Sequence, residues 1–330
     1  MKLSALIYVS FFCATASSSW SQKELTVTPL HVTNTSKIEI PNFAFSETQC
    51  DDAGNLYFDL PKRTYNADAL VRITRDGKDG SPIVFPKVSN ETADRTYYVR
   101  PSDGQLFVLQ EQGTAARLLK LSSFGQEEDR VRLTVPTRFE PSSFAVQQSG
   151  EINVTGSVAA DVNSSPVQVN PFQIWFSRDG VAVHQQTWQM KRSQEDVKQE
   201  YVALGPNQTF VSVVANKVYV TTLDGHQLAS YEANSPGKYA VVSAIQIKGN
   251  VLAIRFEHSP NLEVDFRNLV NEGAPVTQTW VLIDLTDGTA LGRYAMPRNY
   301  SGTGLCYAAD RTFIYRGWLD NSAALVTTAP

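Results

Sequence analysis

Residues 50–80 read CDDAGNLYFDLPKRTYNADALVRITRDGKDG. This stretch contains two turn signals, at residues 52–55 (DAGN) and 76–77 (DG), and apolar runs flank each of them. Gly and Asn readily adopt the positive φ angles of tight hairpin turns, and the β-branched and aromatic residues of the runs favour strands. The stretch therefore predicts four short antiparallel strands.

The same alternation of apolar runs and tight turns recurs along the chain. Later turn signals occur at residues 102–104 (SDG), 148–150 (QSG), 179–180 (DG), 205–207 (GPN), 224–225 (DG), 248–250 (KGN), 287–288 (DG) and 309–311 (ADR). Six units of about 45 to 60 residues result, a spacing typical of a β-propeller. The sixth unit ends after three strands, and an unpaired strand at 24–33 precedes the first unit.

The extra strand before the first unit and the missing strand in the sixth unit predict how the fold closes. We expect an all-β, six-bladed β-propeller over residues 24–330, its ring closed by the N-terminal strand pairing in the last blade, because that pairing removes a bare sheet edge. The alternative is a pair of antiparallel sandwiches with a boundary near residues 190–200. The charged segment 189–201 is helix-permissive and predicts a loop with a helical turn.

The N-terminus has the features of a signal peptide. Lys2 precedes a mostly apolar run over residues 3–14, which is too short to span a bilayer, and Ala14-Thr15-Ala16 fits the small-x-small cleavage pattern. We expect cleavage near Ala16 and export to the periplasm or the medium. An uncleaved anchor is the alternative.

Composition bounds the partners and the redox chemistry. The formal net charge is −4 with both signs interspersed, so we expect no nucleic-acid face, no membrane contact after cleavage, and a monomer.

Cleavage leaves two cysteines, Cys50 and Cys306. They occupy matching positions in the first and last units. We expect two buried thiols, because matching positions on adjacent strands should exceed the roughly 7 Å limit between Cα atoms; a ring-closing disulfide is the alternative.

Loop lengths indicate where a function would lie. The turns between the first and second, and the third and fourth, strands of each unit are tight, whereas the long connections (59–69, 158–171, 257–278 and the links between units) should emerge on the opposite face. We call this the long-loop face. Loops mounted on a scaffold commonly carry function. The candidate binding residues there are Asp59, Arg63, Tyr65, Arg138, Glu257, His258, Arg267, Arg298 and Tyr300.

Catalytic and metal motifs are absent from the sequence. The four histidines form no ligand pair, and there is no G-x-S-x-G elbow. We therefore expect no cofactor and a non-catalytic protein that binds a polar ligand, glycan or protein partner through the long-loop face. A calcium ion held by single carboxylates from several blades would leave no motif.

The first unit resembles the NHL type of six-bladed propeller. The pattern comprises an Asp, a Gly-Asn turn, a Leu-Tyr strand, an Arg-Ile strand and an Asp-Gly turn, which here are Asp51, Gly54, Asn55, Tyr57, Arg72, Ile73 and Gly77. The resemblance implies blade architecture without an activity. A more distant resemblance is to gluconolactonase-like propellers, but Thr48-Gln49-Cys50 replaces the Gly-Pro and Trp that follow the metal-binding Glu in that family. It implies the alternative function, a metal-dependent hydrolase or lactonase with its site at the mouth of the central channel.

Overall fold

The structure, a computed structural model, describes residues 23–24, 26–29, 48–60, 69–74, 82–86, 95–112, 115–135, 139–161, 168–190, 192–193, 200–214, 216–261, 276–295, 302–309, 312–319 and 322–329. Within these ranges the regular elements are β-strands, apart from one 3-10 turn at Pro206–Gln208. No helix in the same ranges has the length and apolar character needed to cross a membrane. The predicted signal peptide and its cleavage site lie outside the described residues.

Twenty-six strands follow one another along the chain. The first fourteen are β1 (Lys23–Glu24), β2 (Thr26–Pro29), β3 (Thr48–Cys50), β4 (Leu56–Leu60), β5 (Ala69–Ile73), β6 (Ile83–Val84), β7 (Arg95–Val99), β8 (Leu106–Gln112), β9 (Ala115–Leu121), β10 (Glu127–Thr134), β11 (Phe139–Val146), β12 (Ile152–Asp161), β13 (Gln168–Phe176) and β14 (Ala182–Thr187). The others are β15 (Arg192–Ser193), β16 (Tyr201–Gly205), β17 (Thr209–Val214), β18 (Lys217–Thr221), β19 (Gln227–Glu232), β20 (Val241–Lys248), β21 (Val251–His258), β22 (Thr277–Asp284), β23 (Ala290–Ala295), β24 (Gly302–Ala309), β25 (Thr312–Leu319) and β26 (Ser322–Ala329).

The strands form six separate sheets, which excludes the two-sandwich alternative. Five sheets are complete blades of four consecutive antiparallel strands: β3–β6, β7–β10, β11–β14, β16–β19 and β20–β23, here blades one to five. The sixth sheet is composite, with β24–β26 supplemented by β2. The fold is therefore a β-propeller, and of the six predicted blades the structure shows five complete ones, with the strands predicted for the last blade forming a composite sheet.

The N-terminal segment pairs with two sheets. Strand β2 runs antiparallel to β26, with Thr26 opposite Ala329, which confirms the predicted pairing of the chain ends. Strand β1 runs parallel to β23 on the outer edge of blade five. The paired segment begins at Lys23, and residues 30–33 of the predicted strand lie outside the described residues.

First strands of neighbouring sheets contact one another around a common axis. Strand β3 contacts β7, and the series continues through β11, β16 and β20 to β24, which contacts β3 again. At this last junction Cys50 and Cys306 form a disulfide, with 6.3 Å between their Cα atoms. The expectation of two free thiols was wrong because these strands run side by side, within the spacing that a disulfide spans.

The apolar core lies between the sheets. Blade one packs Tyr57 and Leu70 against Val99 and Leu106 of blade two. Further clusters join blades two to four, blades four and five, blade five and the sixth sheet, and the sixth sheet and blade one. A four-stranded sheet is too thin to bury both of its faces alone, so each blade depends on its neighbours.

The third-to-fourth turns of the blades also join neighbouring blades. Gly225 has φ +91°, and a Cβ atom there would lie 2.6 Å from Cδ2 of His184 on β14. The turns at Gly125, Gly180 and Gly288 likewise lie against the outer strand of the preceding blade. Three of these four turns are Asp-Gly signals of the sequence, and they combine a positive-φ turn with a contact to the neighbouring blade.

The described strands bear on two of the predicted connections. Strands β12 and β13 continue their pairing to Asp161 and Gln168, so only residues 162–167 of the predicted insert at 158–171 lie outside the described strands. In the segment 189–201, where a loop with a helical turn was predicted, Arg192 and Ser193 form β15, which pairs with the start of β13, and residues 191 and 194–199 lie outside the described residues.

Candidate ligand-binding site

A cavity of about 100 Å³ lies on the axis, between the first strands of the blades. Residues from five of these strands line it: Thr48–Cys50 on β3, 96–99 on β7 with Pro101, Ser143 and Phe144 on β11, 201–204 on β16, and 243–248 on β20. The lining combines apolar side chains, tyrosine rings, hydroxyls and amides. The first strands thus form both the inner wall of the propeller and the wall of the cavity.

One amide side chain joins blades one and two at this wall. Gln49 on β3 donates from Nε2 to the carbonyl oxygen of Tyr97 at 2.7 Å, and its Oε1 accepts from the N–H of Val99 at 2.7 Å. The carboxamide therefore pairs with β7 as a neighbouring strand would. In this way the side chain satisfies one carbonyl oxygen and one N–H on the edge of β7 that faces the channel.

The same type of bond recurs at every second blade. On β11 the Ser143 hydroxyl accepts from the N–H of Val202 at 3.3 Å and lies 3.5 Å from the carbonyl oxygen of that residue. On β20 the Gln246 Oε1 accepts from the N–H of Tyr307 on β24. Blades one, three and five thus supply side chains that bond the first strands of blades two and four and of the sixth sheet.

A chain of bonds links the first-to-second turns, at the end of the cavity opposite the long-loop face. Lys248 of blade five forms an ion pair with Asp52 of blade one. The N–H of Asp52 donates to the carbonyl oxygen of Pro101 at 2.7 Å. We call Lys248, Asp52, Arg100 and Gln147 the turn belt.

The belt continues through blades two, three and four. Arg100 donates from Nη1 to the carbonyl oxygen of Gln147 at 3.0 Å, and Gln147 donates from Nε2 to that of Thr209 at 2.9 Å. Asp103 holds the Arg100 guanidinium through a 2.7 Å contact. Burial alone would raise the pKa of the Asp103 carboxyl, but the hydrogen bonds from Arg100 lower it. The turns of five blades are therefore tied together at this end.

Behind the cavity wall in blade five lies a buried pair, Arg255 and Glu257. Arg255 donates from Nε to the hydroxyl of Ser243, which lines the cavity, at 2.8 Å. Its Nη2 lies 4.0 Å from Oε1 of Glu257, which also accepts from Gln278 at 3.3 Å. Burial raises the pKa of Glu257, although Arg255 opposes that shift. Arg255 and Glu257 are 3% and 1% exposed, so they support the wall from behind rather than offering a surface site.

His258 faces the other side of β21. Its Nδ1 lies 2.7 Å from the carbonyl oxygen of Ser259, and its Nε2 lies 2.8 Å from the Thr279 hydroxyl. A carbonyl only accepts, so Nδ1 carries the proton of the neutral ring and Nε2 accepts from Thr279. Burial lowers the pKa of His258. The ring is a satisfied core histidine with both nitrogens occupied.

The predicted site residues separate into two groups. Glu257 and His258 were placed in a loop, and this is corrected: both are buried on β21, because the β21–β22 hairpin continues as far as His258. Asp59 lies on β4 opposite Leu70. The other six predicted binding residues lie outside the described residues: Arg63, Tyr65, Arg138, Arg267, Arg298 and Tyr300.

Sequence reasoning missed the cavity residues Gln49, Ser143 and Gln246. They occupy ordinary strand positions and share no motif, and their role follows only from which first strands adjoin. Their one common sequence feature is a neutral polar residue a few positions before a tight turn.

The metal-dependent alternative gains no support from the described part of the wall. The lining described above contains no carboxylate and no imidazole. Within the described ranges no three or more His, Cys, Asp or Glu side chains are grouped as metal ligands would be. Glu47, the residue that corresponds to the lactonase ligand, lies outside the described residues.

Comparisons with known proteins give similarity in fold alone. No protein-family model and no curated protein matches the chain. Among solved structures, the WD40 domain of Neurospora crassa Pan2 has a TM-score of 0.47 and 9% identity, covering 94% of this chain and 95% of that one. The Dos1 propeller has a TM-score of 0.43 and 10% identity, covering 86% and 67%. A protein of unknown function from Bacteroides caccae has a TM-score of 0.42 and 15% identity, covering 76% and 80%.

Proposed function

We propose that the six sheets form one closed, six-bladed ring of NHL-like type. Contact between β24 and β3, the pairing of β2 with β26, and the core shared by the sixth sheet and blade one support closure. The NHL-like assignment is supported by Asp51, whose carboxylate accepts from the N–H of Asn55 at 2.9 Å and from the Tyr57 hydroxyl at 3.1 Å. These residues carry the sequence resemblance, and the bonds explain their role in shaping the blade.

We propose that the protein is an exported, non-catalytic propeller that binds a polar ligand, glycan or protein partner through its long-loop face. The observation that carries this proposal is the axial cavity with the turn belt across one end. In this proposal a ligand reaches the cavity from the opposite end, away from the bonded turns. The described strands that border the long connections end on that side.

The disulfide supports export. Disulfides persist in oxidising compartments such as the periplasm and the extracellular space, and are rare in the cytosol. The Cys50–Cys306 bond is therefore what the predicted signal peptide would lead one to expect. Both observations favour the same destination for the chain.

A thermal-shift screen of the mature protein tests the binding function. The compounds are saccharides, amino acids and short peptides, and each hit is repeated with Ala203→Phe, which fills the cavity from β16. Leu228→Gln, on the outer strand β19 where Leu228 is 60% exposed, is the matched surface control. We expect hits that Ala203→Phe abolishes and Leu228→Gln retains, with the compound recovered unchanged in mass.

Two results would overturn the proposal. One is a set of hits that bind the filled variant as well as the native protein, which would place binding away from the axis. The other is conversion of a hit to a hydrolysis product by the native protein but not by Ala203→Phe. Circular dichroism of both variants verifies that the fold is retained.

A further inference from the structure

The two cysteines of the Cys50–Cys306 disulfide have unequal surroundings. Cys50 is partly exposed and belongs to the cavity lining. Cys306 is 0% exposed and belongs to the apolar cluster between the sixth sheet and blade one, together with residues such as Leu56 and Phe58. The bond therefore runs from the cavity wall into the core, and a molecule in the cavity meets the Cys50 end of it.

The sixth sheet stands back from the cavity beside this bond. Residues 306–308, the part of β24 whose side chains are described, do not belong to the cavity lining. Blade five instead reaches blade one directly, because Lys248 pairs with Asp52, and Nε2 of Gln246 lies 3.7 Å from Sγ of Cys50. Cys306 thus lies behind side chains of blades one and five that meet in front of it.

The wall around the bond is also held by contacts that do not involve sulfur. Gln246 accepts at Oε1 from the N–H of Tyr307, the residue that follows Cys306. The Lys248–Asp52 ion pair joins blades five and one, and β2 pairs with β26 at the outer edge of the sixth sheet. Opening the disulfide would leave all three contacts in place, so the bond can react without prior unfolding of the wall.

Thiol–disulfide exchange begins when a thiolate attacks one sulfur of a disulfide, and access determines which sulfur is attacked. The attacking sulfur approaches from the side opposite the sulfur that leaves. A thiolate in the cavity has Cys50 in front of it and Cys306 behind Cys50. Its electron pair forms a new S–S bond to Cys50, and the electron pair of the Cys50–Cys306 bond leaves with Cys306. The Cys306 thiolate then takes up the proton that the attacking thiol released to solvent.

We propose that Cys50 is a modification site for low-molecular-weight thiols, which form a mixed disulfide with it from the cavity and leave Cys306 as a free thiol. A cavity of about 100 Å³ admits a thiol of a few non-hydrogen atoms, such as 2-mercaptoethanol, rather than a tripeptide such as glutathione. The inference goes beyond the proposed binding function and does not depend on it. An adduct on Cys50 would occupy space in the same cavity.

Exchange rates of thiols of two sizes test the inference. The native protein is treated with 2-mercaptoethanol or glutathione without denaturant, and the reaction is quenched before a second thiol reduces the adduct. Free thiols are blocked with iodoacetamide, and peptide mass spectrometry locates both groups. Each rate is divided by the rate of the same thiol with cystine, which removes differences in intrinsic reactivity. We expect the adduct on Cys50, the blocking group on Cys306, and a normalised rate about tenfold or more higher for 2-mercaptoethanol.

Two variants test the route to the sulfur. Ala203→Phe fills the cavity and should slow the reaction with 2-mercaptoethanol about tenfold or more, because access limits the attack. Leu228→Gln, on the outer strand β19, is the matched control and should react at the native rate. In the native protein the rate should also rise in proportion to the thiol concentration.

Several results would overturn the inference. They are the absence of any adduct, an adduct on Cys306, equal normalised rates for the two thiols, and an unchanged rate in folded Ala203→Phe. A rate independent of thiol concentration would also overturn it, because the bond would then be reached only after the chain unfolds. None of these results bears on the ligand screen, and a screen without hits would leave the thiol reaction as proposed.

Discussion

At the scale of single residues, Glu257 and His258 show how burial overrides sequence context. They are adjacent in the chain and face opposite sides of β21, and the neutral form of each is favoured by loss of solvent. In the sequence, a polar pair at the start of a long insert is typical of a surface loop. Its role changes once the β21–β22 hairpin extends through both residues.

The raised pKa of Glu257 predicts a pH-dependent stability. The folded protein binds this proton more tightly than the unfolded chain, so the stabilisation is complete below the ordinary value of 4.5 and is lost as pH rises through the folded-state value. Glu257→Gln should therefore gain unfolding free energy relative to the native protein as pH increases from 4 to 8. Each tenfold difference in proton affinity contributes about 1.4 kcal/mol to this gain.

Urea denaturation at each pH measures the effect. Glu128→Gln, on the exposed outer strand β10 where Glu128 pairs with Lys120, is the matched control for a Glu→Gln change at the surface. A constant difference between Glu257→Gln and the native protein across this pH range would contradict the assignment.

At the scale of elements, the tight turns are what the sequence predicted best. Their local chemistry requires little more than Gly, Asn and Asp at fixed positions between apolar runs. The strand order within each blade follows, because consecutive short strands joined by such turns pair as antiparallel neighbours. The additional contact, between each third-to-fourth turn and the preceding blade, becomes visible only when the blades are assembled.

A pair of glycine substitutions separates backbone strain from this contact. Gly225→Ala and Gly249→Ala both place a Cβ at positive φ, at +91° and +58°, but only the Cβ at position 225 meets another residue, His184. Positive φ costs a non-glycine residue roughly 1–2 kcal/mol. We expect Gly225→Ala to lose about 1 kcal/mol or more beyond the loss of Gly249→Ala, because the neighbouring blade must also move.

Equilibrium unfolding of both variants gives the comparison. Equal losses would mean that the turn at position 225 does not determine blade spacing.

The cavity was much less predictable than the turns. Gln49, Ser143 and Gln246 act on first strands of other blades, so their role depends on contacts between residues distant in sequence. Cys50 and Cys306 are separated by 256 residues, and their equivalence in the repeat was readable, but the spacing between their strands was not. Asp59 and Glu257 were singled out because they border long inserts, whereas their strands are defined by pairing partners on the far side of those inserts.

At the scale of the whole molecule, two fastenings hold the sixth sheet, one near the axis and one at its outer edge. The Cys50–Cys306 disulfide lies at the axis, between β24 and β3. The β2–β26 pairing lies at the rim. The apolar cluster that includes Leu56, Phe58 and Cys306 fills the space between the sixth sheet and blade one.

Loss of the disulfide should destabilise the protein. Cys50→Ser and the Cys50→Ser/Cys306→Ser double variant should each lose about 2–5 kcal/mol of unfolding free energy. A phosphine reductant should lower the melting temperature of the native protein and leave that of the double variant unchanged. Thiol titration in denaturant should find no free thiol in the mature native protein before reduction, and two free thiols there would contradict the bond.

Combining the two closures tests whether the sheets form a ring. A chain that starts at His31 lacks β1 and β2, leaves the edge of β26 bare and should be less stable, while a chain that starts at Leu25 lacks only β1 and should lose less. With the disulfide intact, the sixth sheet remains attached to blade one at the axis. Without both fasteners the sheet separates from blade one and its shared core is exposed, so the combined loss should exceed the sum of the single losses by about 0.5–3 kcal/mol.

A double-mutant cycle of the His31 start with Cys50→Ser, followed by urea denaturation, measures this coupling. Strict additivity would mean that the two fasteners hold independent parts of the molecule, and would contradict a ring closed jointly by these two fasteners.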